Sequence, residues 1–124
     1  MGYDTSYTLR VQNIEEDEFD QLILMLDAKE LIGYAFSKGD YHDYDLPSKQ
    51  GYFDSNGDCH WYDHEDDLIE ISKKFPNARF RLSGLGEKRY DIWNRYYENG
   101  KIENCGVIIE EVKPTEIRWD KEVI

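Results

Sequence analysis

Asp54, Asn56, Asp58 and Glu65 stand at the first, third, fifth and twelfth positions of a calcium-loop pattern. Hard oxygen donors at those positions converge on a cation of high coordination number. Trp61 supplies the apolar residue expected at the eighth position. The sixth is Cys59, where the sharp turn needs glycine, and no amphipathic stretch precedes Asp54. A tight turn at Asn56-Gly57 accounts for the same residue types without a metal. Cys59, His60 and His64 gather zinc-type donors, but Cys105 and His42 stand alone, so no second pair closes a tetrahedral site. Nucleophilic catalysis has no signature here: no Gly-x-Ser-x-Gly elbow, phosphate-cradling glycine loop or dinucleotide fingerprint. No two carboxylates are singled out as an acid and a base. The chain reads as leaning away from catalysis and as needing no cofactor, calcium being the one cation its donors would suit.

Arg79, Arg81 and Arg95, with Trp93 and Tyr97, suggest a different chemistry. Facing outward from neighbouring strands, they would form a stacking platform for single-stranded nucleic acid. Cross-strand pairing with Asp91 or Glu103 is the structural alternative. The formal net charge of −12 requires any attraction for phosphate to be local, which disfavours direct nucleic-acid binding.

Carboxylates are unevenly placed. Residues 1–70 hold 18 Asp and Glu against four Lys and Arg, a net of −14; residues 71–124 hold nine against eleven, a net of +2. Together they give the −12 of the whole chain. Such a split predicts one anionic side, suited to a basic protein surface and repelled by membranes. Asp40, Tyr41, Asp43, Tyr44, Asp45, Asp58, Trp61, Asp63, Glu65 and Asp66 are the candidate contact residues, carboxylates interleaved with aromatics that add contact area at low entropic cost.

These residues must be held by elements that the periodicity outlines. Tyr7, Leu9 and Val11 alternate with Thr8 and Arg10, predicting a strand. Asn13 followed by Glu16 has the form of a capping box, opening a helix in which Phe19, Leu22, Ile23 and Leu26 share a face. Leu31–Phe36 reads as a second strand ended by Gly39-Asp40, and Ser37–Gln50 as a surface loop. Tyr52-Phe53 and His60-Trp61-Tyr62 flank Asn56-Gly57 as a short hairpin. Asp63 caps a second helix carrying Leu68, Ile71 and Phe75, which Pro76-Asn77 stops. Ala78, Phe80 and Leu82 mark another strand, turned at Gly84-Leu85-Gly86-Glu87. Tyr90–Glu98 and Lys101–Ile109 form a hairpin around Asn99-Gly100. The order predicts an α+β single domain over residues 1–124, a ferredoxin-like sandwich with two helices on one face of an antiparallel sheet. Residues 115–124 read as a tail. Two isolated cysteines and the absence of a basic n-region with an apolar stretch predict a cytoplasmic protein.

The positions Trp61, His64, Asp67-Leu68, Ser72, Phe75-Pro76, Phe80-Arg81-Leu82, Gly86-Glu87, Asp91, Trp93, Tyr96-Tyr97 and Asn99-Gly100-Lys101 carry a resemblance, as does the opening Met1-Gly2-Tyr3-Asp4-Thr5. The sequence resembles small uncharacterised proteins encoded by bacteriophages and prophages. That resemblance implies an intracellular protein of a bacterial host and carries no assigned catalytic residues. By class it implies an inhibitor of a host nucleic-acid enzyme, of the anti-CRISPR or anti-restriction kind, that mimics nucleic acid.

Overall fold

The computed structural model describes residues 4–43, 49–86 and 92–106. Six strands and two helices follow one another as β1 (Thr5–Gln12), α1 (Glu16–Ala28), β2 (Phe36–His42), β3 (Gln50–Ser55), α2 (His64–Lys74), β4 (Arg79–Gly86), β5 (Ile92–Glu98) and β6 (Lys101–Gly106). The strands form one antiparallel sheet in the order β2-β3-β1-β4-β5-β6. The fold is α+β, with an open sheet.

Register decides which side chains share a face. Leu9 stands between Phe53 and Leu82, while Phe80 lies between Val11 and Tyr97. This row is the floor of the core. Both helices cover it: Phe19 of α1 meets Phe53 at 5.1 Å between ring centroids, and Phe75, just after α2, meets Phe80 at 6.5 Å. Leu22, Leu26, Leu68 and Ile71 are fully buried in the same cluster. At roughly 25 cal/mol per Å², their burial is the main term holding helices to sheet.

Several local expectations shift. The N-cap of α1 is Glu15, whose N–H donates to Glu18 Oε1 at 3.1 Å, so the capping box starts two residues later than Asn13. Asn13 adopts φ 58°, a conformation that its short polar side chain tolerates, and its amide donates to Asn77 O. Leu31–Ala35 is a turn, closed by bonds from the N–H groups of Ala35 and Phe36 to Leu31 O. The second strand therefore begins at Phe36 and occupies what reads as loop up to His42. Gly39 permits this course because a Cβ there would collide with the Phe53 ring. The chain bends at Gly57, with φ +100°, but Asn56-Gly57 joins no hairpin. Instead Cys59 pairs in an isolated bridge with Thr5. Gly84 and Gly86 lie within β4 and do not turn the chain. The β5–β6 hairpin turns at Asn99-Gly100 as expected, both with positive φ. The expected tail, 115–124, lies outside the described residues.

Candidate functional site

The candidate contact residues do not form one patch in the way their sequence proximity suggests. Asp40 projects from β2 on the open face, in register with Tyr52. Tyr41 points the other way, packs on Phe19 at 5.4 Å and donates its hydroxyl to Ile14 O at 2.8 Å. Asp43 is exposed beside the first turn of α1 and Lys49. Tyr44 and Asp45 lie outside the described residues. Asp58, Asp63, Glu65 and Asp66 are exposed at the opposite end of the sheet, around the start of α2. The length of β3, roughly 17 Å at strand rise, lies between Asp43 and the second group, and about half of it lies between Asp40 and that group. Trp61 is 5% exposed, so it is a core residue and offers a partner no contact area.

What joins the two ends is the helix layer. Glu15, Glu16, Asp17 and Asp20 are exposed on α1's first half, and Asp27 and Glu30 near its end. Asp63, Glu65, Asp66 and Glu70 continue the series on α2. Lys29 bridges the helices through Asp67 at 3.4 Å and Glu70 at 2.8 Å. Lys49 is held by Glu15 at 2.7 Å. Glu70's carboxyl is held below its ordinary range by the hydrogen bond from Lys29. The acids of α1 were legible as the positions opposite Phe19, Leu22 and Leu26. That they would lie beside α2's acids was not.

The arginine platform also divides. Arg79 and Arg81 lie on the open face, whereas Trp93, Arg95 and Tyr97 align with Gly84, Leu82 and Phe80 on the helix side. Tyr97 is 1% exposed and its hydroxyl has no partner, and burial pushes its phenol pKa up. Arg95 lies over Trp93 at 4.4 Å, contacts Glu65 at 3.4 Å and brings Nη1 within 3.0 Å of His64 Nε2. His64 stacks on Trp93 at 5.2 Å. On the open face, Arg10 and Tyr96 take the places that the sequence assigned to Arg95 and Tyr97. The alternation of Leu9, Arg10 and Val11 carried the signal for Arg10.

Burial, then the Arg95 charge, lowers the His64 pKa from its ordinary 6.5. An imidazolium cannot accept from a guanidinium, so protonation breaks this contact as well as placing two cations together. Above pH 6.5 both folded and unfolded states hold a neutral ring. As pH falls through 6.5 toward the lowered folded value, the unfolded chain binds the proton first and stability is lost. Thermal melts of wild type and His64→Gln between pH 7.5 and pH 5 should therefore show a steeper acid-side fall for wild type. Parallel curves would remove His64 from the account.

The metal candidates are placed as follows. Asp54 Oδ1 accepts from Ser55 N–H, the Asn56 amide donates to Gly33 O, and Glu65 faces Arg95. Cys59 is buried; burial, then Asp4 and Asp58, pushes its thiol up, away from the thiolate that zinc needs. His60 Nε2 lies 2.9 Å from Asp4. Among the described residues, no three His, Cys, Asp or Glu side chains are grouped to hold a metal ion. No helix among them is long and apolar enough to cross a membrane. No protein-family model, curated protein or solved structure matches the chain.

Proposed function

We propose that this chain is a non-enzymatic binding protein that docks its acidic helix layer on a basic surface of a host protein. The observation that carries the reading is the concentration of ten exposed carboxylates on α1, α2 and their flanks, set against exposed Lys73 and Lys74 in the last turn of α2. Lys29, between the helices, is already neutralised by Asp67 and Glu70. Spaced carboxylates on rigid helices present a potential that steers a cationic partner and repels an anionic one. The order β1-α1-β2-β3-α2-β4, with β2-β3-β1-β4 adjacent in space, supports reading the scaffold as a ferredoxin-like sandwich extended by the β5–β6 hairpin. In its sharpest form the protein is a phage or mobile-element product in the bacterial cytoplasm, inhibiting a nucleic-acid-binding enzyme by occupying its basic groove.

Capture of partners from bacterial lysate tests the reading. Tagged wild type should retain a basic protein at about 50 mM salt and release most of it near 1 M, where the Debye length has shrunk to ~3 Å. A variant carrying Asp17→Lys, Asp20→Lys, Asp66→Lys and Glu70→Lys should lose it at both. Retention indifferent to salt and to these substitutions would defeat electrostatic docking.

A further inference from the structure

The open face of the sheet holds an arrangement that the fold does not explain. Across four adjacent strands, Tyr52 of β3, Arg10 of β1, Arg81 of β4 and Tyr96 of β5 stand in one register row. Arg10 and Arg81 are direct cross-strand neighbours. Like charges in that position destabilise a sheet. Neither arginine has an ion pair with a carboxylate among the described residues, and Arg81 Nε is buried with no hydrogen-bond partner. Arg79, at the next open-face position of β4, is paired with Glu98 at 3.1 Å. The Arg10 guanidinium lies over Tyr52 at 5.9 Å. Tyr96 is 39% exposed. A shallow depression of about 230 Å³ is lined by Arg10, Gln12, Arg79, Phe80, Arg81 and Tyr96.

We propose that this row is a binding site for single-stranded nucleic acid, with Arg10 and Arg81 taking phosphates and Tyr52 and Tyr96 stacking bases. A phosphate supplies the negative charge that two facing guanidiniums lack among the described residues. The two rings lie three strand spacings apart, ~14 Å, on either side of the arginines. Stacking on tyrosine tolerates any base, so affinity without sequence preference follows. The exposed acids of α1 and α2 lie on the other side of the sheet, and the row's own carboxylates, Asp40 and Glu103, stand at its two ends, beyond the tyrosines. The site is independent of the helix-layer reading.

Fluorescence anisotropy of the full chain with a labelled oligothymidylate of about 20 nucleotides tests the proposal, the site size being well within that length. Binding should weaken between about 50 and 200 mM salt with a log–log slope near −1.4, the value for two phosphates on a single strand. Arg10→Gln and Arg81→Gln should each weaken binding about 5- to 20-fold and flatten the slope by ~0.7. Each should also raise the melting temperature, because an opposed charge is removed. Tyr96→Ala should cost about 5- to 100-fold with the slope unchanged. The helix-layer lysine variant should bind the oligonucleotide at least as well as wild type. Absence of binding at low salt overturns the site, as do equal affinity for the duplex, equally effective displacement by polyglutamate, and indifference to both arginine substitutions.

Discussion

Trp61→Ala is expected to lower stability by ~3–5 kcal/mol, the usual range for emptying an aromatic core position. For a domain of this size that is a fall of roughly 10–20 °C in melting temperature. The ring packs edge-on against Tyr7 at 5.4 Å and Phe36 at 5.5 Å, so it ties β1 to the start of β2. Its Nε1–H donates to Asp67 Oδ2 at 2.8 Å, linking both strands to α2. Alanine removes the ring from all three and leaves Oδ2 of Asp67, a half-buried carboxylate, without its donor, because Lys29 reaches only Oδ1. Trp61→Phe should recover most of the loss, because it restores the apolar volume and lacks only the donor. Urea titrations of the three proteins measure this. A loss below ~1 kcal/mol for alanine would place Trp61 at the surface, as a contact residue, contrary to its burial.

Gly84→Val is expected to cost ~3 kcal/mol or somewhat more, at the upper end for forcing volume into a packed site. Gly84 is buried mid-strand, and the Trp93 indole lies against it so closely that a Cβ would overlap the ring. Trp93 is also the surface on which His64 stacks and over which Arg95 lies. Displacing it opens this three-residue stack to water. A second readout follows: with burial relieved, the His64 pKa should move back up toward its ordinary value in an NMR titration. Gly84→Ala, with less to accommodate, should show both effects at smaller amplitude. Unchanged stability with an unchanged His64 titration would mean that the indole does not rest on the glycine.

Gly84 also shows where local reading fails. Gly84-Leu85-Gly86 has the composition of a turn, and glycine's conformational freedom is the usual reason for such a pair. Here the reason is space: one glycine makes room for an aromatic ring supplied by the next strand. The same holds at Gly39, which makes room for Phe53, so that a stretch with loop composition is a strand. Conversely, Asn56-Gly57 has the residues of a hairpin turn, yet only Gly57 bends the chain with a positive φ. No hairpin forms, because β3 finds its partners in β1 and β2.

The sequence by itself determined the two helices, whose apolar residues recur at helical spacing, strand β1, and β4 as far as Ser83, where alternation is unbroken. It also determined the Asn99-Gly100 turn. All of these are set by neighbours within a few residues along the chain. Tertiary structure alone decided that Arg10, and not Arg95, shares a face with Arg81. It also decided that acids adjacent in the chain at 40–66 part to opposite ends of the sheet while those of α1 and α2 come together. Strand register makes those choices: a shift by one residue exchanges every side chain between faces. The register is held by the burial of Leu9, Phe53, Phe80 and Leu82 across strands distant in sequence.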